Sequence, residues 1–551
     1  MTSTGPAVLR RSVGNAISRL LSVPSHTSGF AVERGVRVPM RDGVDLIADH
    51  YIPDTPTASG TLLVRGPYGR GWPFSLLFAV VYATRGYHVV VQSVRGTFGS
   101  GGEFTPMVHE KDDGADTAAW LREQPWFTGS FATVGLSYLG FTQWALLTDP
   151  PPELRAAVIA VGPHDFRASS WGTGSFSLND FLGWSDMVAR QEDTRGIAAL
   201  IRQVRARRAL ARATADLPLG AAGRRLLGDG AHWYESWIEQ ADDAAFWDEL
   251  RANEALDRVD IPILLFGGWQ DLFLEQTLHQ YTHLRGRGVP AALTVGAWTH
   301  TQLMTKGAPT VVRETLDWLG THLGGGPESG RAPVRIEINN DGWHDLADWP
   351  PPMPEYVLFL RTTGQLSAAP PDPTAPPSVF TFDPTDPTPT VGGRLLSPQG
   401  GYRADRRLAE RDDVLAFTGD PLPADLYVVG TPVVELAHSC DNPHRDLFVR
   451  LSEVDRKGRS RNVTDGFRRL TGEDGTVRLE LDAVAHRFRA GSRLRVLVAG
   501  GSHPRFARNL GTGEPPISGS TTVPATHTVH HGRGGVSRLL LPAGPQPPSA
   551  H

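Results

Sequence analysis

A single cysteine, Cys440, stands among 551 residues. One thiol cannot close an intramolecular disulfide, and a cysteine-based zinc site needs more than one. Cys440 ends the alternating run "TPVVELAHSC". That pattern reads as a half-buried strand end rather than a nucleophile. Lysine is nearly missing as well, with only Lys111, Lys306 and Lys457. At a net charge of -5 the chain offers no basic field to nucleic acid or to an anionic membrane. No stretch reaches the roughly 20 apolar residues of a membrane span. The N-terminal "MTSTGPAVLRRSVGNAISRLLSVPSH" is mildly amphipathic, without an apolar core long enough for a signal peptide. No apolar region follows Arg10-Arg11, so a twin-arginine signal is not expected either. These absences lead us to expect a cytoplasmic protein with no membrane or nucleic-acid partner, no metal and no cofactor. A homo-oligomer is compatible with the composition.

What is present is length enough for large buried cores and an ordered change of pattern along the chain. From residue 35, strand-like runs ("VDLIADHYIP", "GTLLVRGP", "YHVVVQSVRG", "FATVGLS", "LRAAVIAVGP", "DIPILLFGGWQD", "AALTVGAWTH") alternate with helix-like ones ("DGADTAAWLREQ", "YLGFTQWALLTDP"). Alternation of this kind predicts a mostly parallel sheet covered on both faces. Residues 165–255 interrupt it with Trp-, Arg- and Ala-rich helical patches, which read as a helical cap inserted between two strands. The arginines of "IAALIRQVRARRALARATA" read as a solvated helix face. After "GGGPESGRAP" the chain turns Pro-rich and strand-like, with "VRIEIN", "YVLFLR", "DLFVRLSEV" and "LRVLVAG" among its runs. That predicts an all-β jelly-roll sandwich. The tail "GPQPPSAH" reads as disordered.

The stretch "VGLSYLG", Val134 to Gly140, contains G-x-S-x-G. In a chain with 60 glycines three fixed positions are weak on their own. Here, however, the serine falls between a strand and a helix, where a sharp turn lifts its hydroxyl above the strand ends. The motif therefore predicts an α/β-hydrolase core with Ser137 as nucleophile. A serine needs a base, and the base needs an orienting acid. In this fold the chain order is Ser, then Asp or Glu, then His. Asp271 follows "IPILLFGGWQ" and His300 follows "AALTVGAWT", each where a loop leaves a strand. His164, His279 and His283 are the rival bases. Two oxyanion donors are also needed. The backbone N–H of Tyr138 is the first. Tyr68, in "VRGPYGRGW", holds a phenol that is either the second donor or a packing group.

With these residues in place, the chain resembles the cocaine esterase and X-prolyl dipeptidyl-peptidase family of serine hydrolases. The resemblance runs through "VPMRDGVDLIADHYIP", "VRGPYGRG", "VVVQSVRGTFGSGGEF", "VGLSYLGFTQW", "GGWQDLF", "GAWTH", "WPPP" and "SHPRFARNLGTGE". It implies Ser137, Asp271 and His300 as the triad, with Tyr68 and the Tyr138 amide as the oxyanion hole. It also implies that Trp171, Trp184 and Phe273 line the substrate pocket. The implied organisation is an N-terminal extension (1–30), a first hydrolase segment (31–164), the helical cap (165–255), a second hydrolase segment (256–328) and the jelly roll (329–545). The expected activity is cleavage of a small-molecule carboxylic ester, or an amide, through an acyl-enzyme. Acyl transfer, X-prolyl or aminoacyl peptidase action and acylase action use the same machinery, and a non-catalytic ligand-binding protein is the remaining alternative. Family members that take a free amine need carboxylates to hold it. Glu192 and Asp193 are candidates for that role, although their pattern also fits a solvated helix face.

Overall fold

The structure is a computed structural model that describes residues 25–192, 197–327, 330–472 and 474–547. Most of the expected N-terminal extension, Asp193 and the end of the tail lie outside the described residues.

The near-continuous apolar runs become the centre of a ten-stranded sheet. Its strands are β1 (Gly29–Pro39), β2 (Asp45–Asp54), β3 (Gly60–Gly66), β4 (Tyr87–Ser93), β5 (Phe131–Leu136), β6 (Leu154–Ala160), β7 (Ile263–Gln270), β8 (Ala291–Thr299), β9 (Val334–Ile338) and β10 (Gly342–Leu346). They lie in the order β1-β2-β4-β3-β5-β6-β7-β8-β9-β10. From β4 to β9 every neighbouring pair is parallel, while β1, β2 and β10 pair antiparallel at the edges. Every residue of β3, β5 and β7 is buried, as a parallel strand covered on both faces requires. Parallel pairing has a direct consequence for the site. The loops after β3, β5, β7 and β8 all leave the same edge, which brings Tyr68, Ser137, Asp271 and His300 to one side of the sheet.

Three helices matter below: α1 (Tyr138–Leu146), α2 (Leu178–Arg190) and α3 (Leu274–Gly286). α2 belongs to the cap, whose helices lie between β6 and β7 as expected. It buries Leu178, Phe181, Leu182, Trp184, Ser185 and Val188, spaced three and four apart. Arg205, Arg207, Arg208 and Arg212 are exposed, in keeping with a solvated helix face.

The strand "VRIEI" was expected to open the jelly roll. It is instead β9, parallel to β8 with Leu293 opposite Val334, and β10 follows it in the same sheet. Its alternating burial suits any half-covered edge, so its sequence could not choose between the two sheets. The C-terminal domain is a second sheet system of thirteen strands, from Glu355–Arg361 to Arg538–Gly544. Its core includes Leu358, Leu436, Val449, Val496 and Leu539. Cys440 ends a strand half-buried, as read. The domain touches both the cap and the hydrolase sheet. Asp180 of α2 accepts the Leu396 N–H at 2.9 Å, and the Gln270 amide donates to the Val463 carbonyl at 2.9 Å.

The same domain buries two histidines side by side. His438 Nε2 lies 3.0 Å from His527 Nδ1, and the His527 ring stacks on Phe380. Burial, with His438 and Arg445 nearby, pushes His527 down to about 3, and burial, with Arg445 nearby, pushes His438 down to about 4. Unfolded, both would take up a proton near 6.5. Between those values the unfolded chain binds more protons, so stability falls as pH falls. We expect this pair to make the urea midpoint fall between about pH 6.5 and about pH 4, and to contribute no slope above that range. His527→Gln should flatten that slope, and an unchanged slope would remove the pair as its cause.

Candidate active site

Ser137 sits at the turn between β5 and α1 with φ 58° and ψ −124°, a conformation that a side chain rarely adopts. The sequence around it makes room for this turn. A Cβ on Gly135 would lie 2.5 Å from Leu139 Cβ, and one on Gly140 would lie 2.6 Å from the Gly162 Cα. The Ser137 N–H donates to the Ala160 carbonyl at 2.9 Å, which fastens the turn to β6. As the first residue of α1, Tyr138 has no intrahelical acceptor for its N–H.

Asp271 follows β7 and is fully buried. His300 follows β8, where Thr299 and Gln302 form a capping box that fixes the start of a short helix, His300–Leu303. The two meet: His300 Nδ1 and Asp271 Oδ2 are 2.5 Å apart. The other carboxylate oxygen of Asp271 accepts the Phe273 N–H at 2.8 Å. The Phe273 ring stands edge-on to His300, with centroids 5.5 Å apart.

Tyr68, on the loop after β3, brings its phenol close enough to Ser137 for the Ser137 side chain to act on it. Burial raises the phenol above its ordinary range, so it stays a neutral donor at working pH. Trp184 of the cap donates its indole N–H to the same phenol oxygen at 3.0 Å. Trp184 also stacks on Tyr138, with rings 6.0 Å apart and 7° from parallel.

Two pairs are therefore assembled by direct contact, Asp271 with His300 and Tyr68 with Trp184, and Ser137 lies beside the Tyr68 phenol. Among the described hydrogen bonds none joins Ser137 to His300. Such bonds often tighten only with substrate bound. Trp171 makes its contacts within the cap, donating to the Trp237 carbonyl at 2.9 Å and packing on Phe176. Glu192 accepts the Phe98 N–H at 2.8 Å. The rival histidines are engaged elsewhere. His164 is 3.0 Å from the Gln280 amide and stacks on His279, and His283 pairs with Asp257 at 2.8 Å.

Several residues at the site had no sequence signal. Phe104 and Trp233 pack against Trp184. The Tyr138 phenol donates to Glu110 at 2.8 Å and accepts the Met107 N–H at 2.7 Å. Glu110 in turn pairs with the buried Arg65 at 3.1 Å. Burial pushes the Tyr138 phenol well above its ordinary range, so it keeps the proton it shares with Glu110. This side chain braces the turn, a role that the motif G-x-S-x-G does not encode. Among the described residues no group of three or more His, Cys, Asp or Glu side chains could hold a metal ion.

Comparison with known proteins places this geometry. The model of the X-Pro dipeptidyl-peptidase (S15 family) matches residues 42–302, and that of the X-Pro dipeptidyl-peptidase C-terminal non-catalytic domain matches residues 329–540. Cocaine esterase from Rhodococcus sp. (strain MB1 Bresler) is 30% identical over 576 residues, covering 93% of this chain and 98% of its own. The chain belongs to this family of serine hydrolases. Within the family, a putative serine esterase of Mycobacterium bovis is 24% identical over 90% of this chain and 95% of its own. An aminopeptidase from a marine sediment Thaumarchaeota archaeon superposes with a TM-score of 0.81 at 20% identity, covering 94% of this chain and 97% of its own. An α-amino acid ester hydrolase does so at 0.79 and 21% identity, again covering 94% and 97%. These two structures establish the common fold. β9 and β10 fall inside the segment matched by the family's C-terminal domain, yet they complete the hydrolase sheet.

Proposed function

We propose that this hydrolase cleaves small carboxylic esters through an acyl-enzyme on Ser137. His300 takes the Ser137 proton as the hydroxyl oxygen bonds to the acyl carbon. Asp271 holds the imidazole in the right tautomer and stabilises the imidazolium. The Tyr138 N–H and the Tyr68 O–H hold the negative oxygen of the tetrahedral intermediate. That intermediate collapses, the ester C–O bond breaks, and the alcohol leaves with the proton from His300. Water, activated by His300, then attacks the acyl-enzyme and releases the acid and Ser137. The observation that carries the reading is the Asp271–His300 contact of 2.5 Å, on the same sheet edge as the strained Ser137 turn.

The acyl group is proposed to be apolar. Trp184 and Phe273 offer aromatic surface beside Ser137 and His300, with Phe104 and Trp233 behind. That Glu192 already has Oε1 on the Phe98 N–H supports placing esters ahead of aminoacyl substrates.

A fluorophosphonate probe should label the folded protein at Ser137 alone. In a screen of p-nitrophenyl acyl esters and aminoacyl amides of varied size, esters with apolar acyl groups should turn over fastest. No labelling, or turnover of amides ahead of esters, would count against the reading.

A further inference from the structure

We propose that Trp184 is a positioning residue for the oxyanion hole, reaching from the cap to occupy the Tyr68 phenol oxygen and turn the phenol proton toward the reacting acyl oxygen. The inference rests on the reading above, in which Tyr68 is an oxyanion donor. It goes further by giving a cap residue control over whether that donor is aimed.

An indole N–H can only donate, so in the 3.0 Å contact the Tyr68 oxygen is the acceptor. The phenol has one proton, and a hydroxyl rotor orients it to suit its surroundings. With Trp184 holding one side of the oxygen, the proton points to the other side. The Ser137 side chain is the other group that acts on the phenol. The ring itself is held in place. Phe74 stacks on Tyr68 at 5.5 Å and 18°. Gln191, just beyond α2, donates to the Pro67 carbonyl at 2.9 Å, one residue before Tyr68. α2 thus grips the Tyr68 loop at two points. Its Trp184 also lies flat on Tyr138, whose backbone N–H is the other proposed donor. One side chain therefore touches both residues that would hold the oxyanion. The polar atom of the indole is spent on Tyr68, which leaves the ring as the part available to substrate. Pre-aimed donors of this kind are the ones that lower a barrier without reorganisation.

The test is a double-mutant cycle on the full-length protein with the shortest p-nitrophenyl ester it turns over, so that the acyl group barely fills the pocket. Trp184→Phe keeps an aromatic ring and removes the N–H. It should lower kcat about tenfold, the loss of one neutral hydrogen bond, with KM within about threefold. Tyr68→Phe should lose about 10²–10³. The double variant should match Tyr68→Phe within about twofold, because the indole N–H has nothing left to aim. If Trp184→Phe raises KM while kcat holds, the ring serves the acyl pocket and the inference fails. If the double variant falls well below Tyr68→Phe, Trp184 acts through cap packing and the inference also fails. An intact Trp184→Phe beside an impaired Tyr68→Phe overturns the inference alone. Full activity in Tyr68→Phe would overturn the oxyanion reading, and the inference with it.

Discussion

Ser137→Ala is expected to lose about 10⁶ in kcat on any ester the protein cleaves, while the folded protein keeps its thermal midpoint within a few degrees. The rate falls because the route through an acyl-enzyme is lost with the Ser137 oxygen. What survives should be the residual assistance of the oxyanion donors, about 10³–10⁴ over water. Stability holds for a local reason. Alanine carries the same Cβ as serine, so the strain at φ 58° is unchanged, and the N–H bond to Ala160 needs no side chain. Ser137→Gly makes a useful second control. It relieves that strain and should melt higher than the alanine variant, with equally little activity. Steady-state ester hydrolysis and thermal unfolding check both. Retention of more than a hundredth of the rate in Ser137→Ala would remove Ser137 as the nucleophile.

Asp271→Asn is expected to lose about 10⁴ in kcat with little change in KM. The buried surroundings of Asp271 dictate how an asparagine must sit. One carboxylate oxygen accepts the Phe273 N–H and the other faces His300 Nδ1. The asparagine carbonyl is the only acceptor left for the Phe273 N–H, so the amide NH₂ is forced toward His300. An NH₂ there favours the tautomer with its proton on Nε2, and a protonated Nε2 cannot take the Ser137 proton. Asp271→Ala leaves Nδ1 free to choose and should be impaired without that added tautomer penalty. Pre-steady-state release of p-nitrophenol isolates the acylation step. Acylation within tenfold of the parent in Asp271→Asn would show that some other group orients His300.

Much of this was legible in the linear chain because it is written locally. The runs "GTLLVRG", "ILLFGGWQ" and "AALTVGAWT" are apolar enough to be central parallel strands whatever surrounds them. Gly135 and Gly140 flank a serine whose turn tolerates no Cβ at either place. Asp271 and His300 follow their strands directly, so strand order alone sends them to one edge.

Other features depend on contacts between segments far apart in sequence. The sequence does not show what surrounds the phenol of Tyr68: Trp184, 116 residues away, donates to its oxygen. The sequence assigns a role only to the Tyr138 backbone N–H, yet the side chain is tied to Glu110 and Met107. β9 has an alternating pattern that suits either sheet, and its pairing with β8 decides the matter. Glu192, a candidate for holding a free amine, has one carboxylate oxygen on a backbone N–H of the β4 loop.

Local sequence pattern is enough to place Ser137, Asp271 and His300 on one edge of a parallel sheet, because backbone conformation and strand burial are short-range properties. The partners of each buried polar atom, and hence the direction in which a donor points, come only with the packed cap and the C-terminal domain. Burial makes those pairings obligatory, but many donor–acceptor pairings satisfy the same composition, and only the three-dimensional arrangement selects one.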